Sequence, residues 1–157
     1  METKRVLIFV PEFPRLTETF IQREISKLIE FGNLDITVFS LQKASGKFLE
    51  GVENHVVYRR LDVVILFKSL FFVVKFPKRL FRAFKDFVIA PEKSERVSFP
   101  LFVKSVGYAY LFSLLSLDHI HSNFMSPEPC NPAPASNLLG IPYSISAHAK
   151  DVMVEGE

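Results

Sequence analysis

Val6-Leu-Ile-Phe-Val10, Thr17-Glu-Thr-Phe-Ile-Gln-Arg-Glu-Ile25 and Asp35-Ile-Thr-Val-Phe-Ser-Leu41 are the three runs that decide the fold. The first is apolar without alternation and is flanked by Lys4, Arg5 and Pro11, the pattern of a strand buried on both faces of a parallel sheet. In the second, Thr17 is placed to cap a helix with Glu18 in its first turn. Ile21, Ile25, Leu28 and Ile29 then recur at helical spacing, and Gly32 and Asn33 stop the helix. The third run is another strand. Together they make a β-α-β unit, whose crossover should be right-handed.

Working outward, His55-Val-Val-Tyr58 predicts a third strand. Val63, Leu66, Phe67, Leu70, Phe71 and Val74 fall at helical spacing until Pro77 breaks the run, and Leu80, Phe81, Phe84, Phe87 and Val88 resume it. A further helix is expected over residues 102–117, and strands over 118–124 and 143–147. Pro127, Pro129, Pro132 and Pro134 predict extended chain to about residue 132, followed by a short helix ending near Gly140. This order of elements predicts an α/β, Rossmann-like, mostly parallel sheet flanked by helices. Neither a G-x-G-x-x-G after the first strand nor a Walker-type loop occurs, which argues against a dinucleotide or P-loop nucleotide site.

At 157 residues with 48% apolar and 23% charged side chains, the chain suits one domain with a genuine core and does not fit a disordered segment. Cys130 is the only cysteine, so no intramolecular disulfide forms and a reducing compartment is expected. The opening apolar run is too short for a signal sequence, and no run is long enough to span a bilayer. A cytoplasmic location is therefore expected, with peripheral attachment to the cytoplasmic face of a membrane as its variant.

The charge is uneven. Between Arg59 and Asp86 eight Lys or Arg stand against only Asp62 and Asp86, although the whole chain carries a formal charge of just +2. The aromatic residues of this block lie on its apolar stripe instead of among the charges, which argues against nucleic acid. Lys75, Lys78, Arg79, Arg82 and Lys85 are the candidate contacts to an anionic membrane surface. Burial of the Phe-rich stripe in the core is the competing reading.

Three further groups can carry chemistry. Arg15, Thr17, Glu18 and Thr19 occupy the first strand–helix connection, where a helix amino terminus and a guanidinium suit an anionic group or an ordinary cap. His119 and His121 share one face of a strand, yet no third ligand accompanies them, so no metal site is expected. His148 and Asp151 follow the last strand, on the edge where α/β sheets bind ligands.

Three segments are similar to family 4 glycosyltransferases of the GT-B fold, in the branch that makes colanic acid and other exopolysaccharides. They are Phe13-Pro-Arg-Leu-Thr-Glu-Thr-Phe-Ile-Gln-Arg-Glu-Ile25, His119-Ile-His-Ser-Asn-Phe124 and Gly140-Ile-Pro-Tyr-Ser-Ile-Ser-Ala-His-Ala-Lys-Asp-Val152. The resemblance implies a retaining transferase that moves a sugar from a nucleotide-sugar to a glycan or lipid-linked acceptor. The chain would be its amino-terminal, acceptor-side domain over residues 1–157, with a separate carboxy-terminal domain as partner holding the donor. The chain itself would then bind no cofactor and would be inactive alone. The resemblance also implies that His148 is catalytic and reaches the transferred sugar, that Asp151 supports it, and that Arg15, Thr17, Glu18 and Thr19 line the cleft near acceptor and diphosphate. No two glutamates here are separated by seven residues, the pair carried by the family's donor domain. A non-catalytic module binding a glycan, a membrane surface or a partner protein is the alternative. A flavodoxin-like regulatory domain comes after it, since Glu12 is the only carboxylate placed for its acidic pocket.

Overall fold

The computed structural model describes residues 3–89, 97–123 and 132–146. Among these, five strands form one parallel sheet: β1 (Lys4–Phe13), β2 (Leu34–Lys43), β3 (Val56–Tyr58), β4 (His119–Ser122) and β5 (Tyr143–Ile145). Their spatial order is β3-β2-β1-β4-β5, the Rossmann-like arrangement. Chain order runs outward from β1 through β2 to β3, then returns across β1 to β4. The reversal makes the carboxyl ends of β1 and β4 the topological switch point.

The chain divides into two compact units, the first comprising, among the described residues, 3–60, 117–123 and 144–146. Its central strand is β1, where Leu7, Ile8, Phe9 and Val10 are all buried, as a strand covered on both faces requires. Helix α1 (Thr19–Glu30) turns Ile21 and Ile25 onto Ile8, Val10, Ile36 and Val38. Each such side chain stabilises the fold by about 1.5–3 kcal/mol on burial. Gly32, at φ 67, ends the helix turn in the left-handed conformation that glycine adopts freely. The opposite side of β1 contributes Phe9, whose ring stacks on Phe39 of β2 at 6.2 Å.

The helix begins one residue later than the sequence suggests. Thr17 is not its cap. Residues 15–18 close a turn in which the Glu18 N–H donates to the Arg15 carbonyl at 3.3 Å, so Glu18 takes the cap position, without a side-chain cap bond. Thr17 is left inside that turn, exposed.

The second unit covers, among the described residues, 61–89, 97–116 and 132–143. It contains α2 (Val63–Lys75), α3 (Pro77–Phe84), a π-helical turn (Lys85–Ile89), α4 (Phe99–Ser113) and α5 (Ala133–Leu139). Asp62 caps α2, accepting from the Ile65 N–H at 2.7 Å. Its core gathers Ala83, Phe87, Val97 and Phe102, with Phe84 edge-on to Phe102 at 5.4 Å. Helix α4 starts earlier than residue 102 because Pro100 falls in its first turn, where no donor is needed. Helix α5 closes on Gly140 at φ 73, where the sequence places its end.

The apolar stripe of α2 is not where a buried-core reading puts it. Ile65, Ser69 and Phe72 point inward, whereas Val63, Phe67, Leu70, Phe71 and Val74 are exposed. A helix apolar on nearly every side gives the sequence no means of choosing its buried face.

Candidate functional site at the carboxyl edge of the sheet

Within the first unit, β1 leaves the sheet through a turn that is held from three directions. The Phe13 carbonyl accepts from the Ala44 N–H at 3.2 Å and from the Tyr58 hydroxyl at 2.9 Å. The next carbonyl, of Pro14, accepts from the Gly46 N–H at 2.8 Å, and the Phe13–Pro14 peptide is cis. Gly46 lies against the backbone of this turn: a Cβ there would stand 2.8 Å from the Pro14 carbonyl carbon and 3.1 Å from that of Arg15. Burial pushes the Tyr58 phenol above its ordinary value, which keeps its proton on the donating oxygen. Buried Gln22 of α1 fixes the following loop, donating to the Lys47 carbonyl at 3.1 Å and accepting from the Leu49 N–H at 2.9 Å.

Arg15 projects from this turn already paired. Its guanidinium donates to Glu12 at 2.6 Å and 2.9 Å and to Glu18 at 3.3 Å. The hydrogen bonding to the Glu12 carboxylate is the main reason that Arg15 holds its charge even more firmly than an ordinary arginine. With two carboxylates on one guanidinium, the turn carries a net negative charge and is poorly suited to an anion. Thr17 and Thr19 are exposed beside it.

Across the switch point, β4 and β5 build a chain of polar side chains. Ser144 Oγ lies 2.7 Å from His119 Nε2 and 2.8 Å from His121 Nδ1, and Ser146 Oγ lies 3.1 Å from His121 Nε2. The period of two on both strands produces it: His119-Ile-His121 and Ser144-Ile-Ser146 each place alternate residues on one face. Ser144 has one hydroxyl proton and two acceptor lone pairs, so it can donate to one imidazole while accepting from the other, or accept from both. In one arrangement His119 donates to Ser144, Ser144 to His121, and His121 to Ser146. Burial, with a smaller contribution from the nearby His121, lowers the His119 pKa below the ordinary histidine value.

Asn123 follows β4 directly. Its N–H donates to the Phe9 carbonyl at 3.3 Å, which keeps the backbone on the edge of β1. Its side chain is only 1% exposed, yet among the described residues neither Nδ2 nor Oδ1 has a hydrogen-bond partner. A buried, unsatisfied carboxamide costs about 1–3 kcal/mol per group and is uncommon in folded proteins.

Of the residues singled out from the sequence, Arg15, Thr17, Glu18 and Thr19 stand at the carboxyl edge, and His119 and His121 run up to it. His148 and Asp151 lie outside the described residues. Lys75, Lys78, Arg79, Arg82 and Lys85 are all exposed and belong to the second unit. Among the described residues no group of three or more His, Cys, Asp or Glu is placed to hold a metal, and no helix is long and apolar enough to cross a membrane. Ser144, Ser146, Asn123 and Gly46 were not singled out from the sequence. The matching alternation of His-x-His and Ser-x-Ser was the available signal for the two serines. No family model, curated protein or solved structure matches the chain.

Proposed function

We propose that the chain is the acceptor-side part of a retaining, nucleotide-sugar-dependent glycosyltransferase of cell-surface glycan synthesis. The observation that carries this reading is convergence. The three segments resembling family 4 enzymes are far apart in sequence, yet they follow or form β1, β4 and β5, which are neighbours in the sheet. Their carboxyl ends meet where open α/β sheets receive ligands. The chemistry there suits a sugar acceptor better than a diphosphate. Glu12 and Glu18 outnumber Arg15, and the exposed Thr17 and Thr19 hydroxyls beside them are neutral donors and acceptors suited to ring hydroxyls.

On this reading the nucleotide-sugar is held by a carboxy-terminal donor domain, and His148, supported by Asp151, contacts the transferred sugar. That contact strengthens as positive charge develops on the sugar during transfer. The test is transfer from a panel of nucleotide-sugars to glycan and lipid-linked acceptors. The chain alone should be silent, and joined to its donor domain it should turn over. His148→Ala should then lower turnover by about 30- to 1,000-fold, equivalent to roughly 2–4 kcal/mol, with little change in Tm. Turnover unchanged by His148→Ala, or transfer by the chain alone, would sink the assignment.

A further inference from the structure

The second unit exposes a surface of unusual composition. Along α2, Val63, Phe67, Leu70, Phe71 and Val74 form a ridge with the spacing of one helix face, and Val63 and Val74 are each 82% exposed and Phe67 74%. Soluble surfaces carry scattered apolar residues; a contiguous ridge of large ones marks an interaction face. Basic side chains adjoin it directly. Lys75 Nζ sits 5.0 Å from the centre of the Phe71 ring and 5.4 Å from that of Phe76, and the Arg79 guanidinium is 5.4 Å from Phe76.

Next in the chain, Lys78, Arg82 and Lys85 recur at i, i+4 and i+7. With Pro77, exposed Phe81 and Asp86 they line an open depression of about 690 Å³. Three cations around one shallow bowl, set beside an apolar ridge, is a pairing of opposite physical needs. The ridge seeks removal from water, and the bowl seeks anions that stay hydrated. A purely apolar protein groove would satisfy the first alone. The boundary of an anionic bilayer satisfies both, because phosphate headgroups lie just above the acyl region.

We propose that this face docks on an anionic lipid bilayer, with the α2 ridge entering the acyl boundary and Lys78, Arg82 and Lys85 gathering headgroup phosphates. The proposal rests on residues of the second unit and stands apart from the glycosyltransferase reading, which the transfer assay addresses through other residues.

Vesicle flotation tests it, comparing phosphatidylcholine vesicles with phosphatidylcholine–phosphatidylglycerol mixtures at low and high salt. The protein should float with the anionic vesicles, release as salt rises, and ignore the neutral ones. The triple substitution Lys78→Glu, Arg82→Glu and Lys85→Glu should weaken partitioning by at least about a hundredfold, since each basic residue near such a surface contributes roughly fivefold. Phe67→Ser with Val74→Ser should also abolish flotation, and because both side chains project into solvent, circular dichroism should show an unchanged fold. Equal flotation with neutral and anionic vesicles would overturn the proposal. So would full binding by either variant, or a stable dimer dispersed by the ridge variant in a protein that binds no vesicle.

Discussion

Ser144→Ala removes one oxygen and two hydrogen bonds, those to His119 Nε2 at 2.7 Å and His121 Nδ1 at 2.8 Å. Each bond is worth about 0.5–1.5 kcal/mol net, so the variant should lose roughly 1–3 kcal/mol. Both imidazoles are only partly buried, so water can replace some of what is lost and the lower half of that range is expected. The pH dependence has a defined sign. His119 is lowered by burial first and by His121 second, so the unfolded chain binds its proton more readily than the folded one. Its contribution to stability is therefore complete above the ordinary histidine value of about 6.5 and is lost as pH falls through that value toward the lowered folded one. Urea unfolding at pH values on either side of 6.5 reads both effects. Because burial is the larger cause, Ser144→Ala should keep the acid sensitivity while losing the hydrogen bonds, and His119→Gln should remove the part due to His119. A Ser144→Ala loss under about 0.5 kcal/mol would refute the bonded chain. Acid sensitivity left intact by His119→Gln would refute the role given to that histidine.

Other outcomes follow from single contacts. Gly46→Ala should cost about 1–3 kcal/mol by overpacking, because the new methyl meets the backbone of residues 14 and 15, and amide spectra should show the turn displaced; an unchanged spectrum would mean that the loop yields freely. Asp62→Ala should cost about 1 kcal/mol by exposing the Ile65 N–H at the start of α2, measured as a lower urea midpoint at constant slope. Phe39→Ala should cost about 3–5 kcal/mol, since its ring is fully buried against Phe9, and a smaller loss would show that the site collapses around the cavity.

The sheet was legible because its central strand is extreme. Residues 6–10 carry no polar side chain, and the structure buries Leu7, Ile8, Phe9 and Val10 together. Gly32 and Gly140 were readable as helix ends for the same kind of reason: each takes a positive φ that other residues avoid. The outward face of α2 was not readable, since its inward face includes Ser69 while phenylalanines point to solvent. Periodicity measures contrast, and α2 has little. The pairing of Arg15 with both Glu12 and Glu18 also escaped the sequence, because it depends on how β1 turns after Phe13 and not on spacing along a helix. The serine–histidine chain needed the order of the strands. His119 and Ser144 are 25 residues apart and meet only because β5 lies beside β4.

On the glycosyltransferase reading, the carboxyl edge around the β1–β4 switch point receives a glycan acceptor. Isotope-edited amide spectra of the 157-residue chain, titrated with oligosaccharide and lipid-linked acceptors and separately with nucleotide-sugars, test it most directly. An acceptor should shift the amides of Arg15, Thr19, Asn123 and Ser146, and nucleotide-sugars alone should leave them unmoved. Acceptor-induced shifts confined to residues away from that edge, or none with any acceptor, would contradict it.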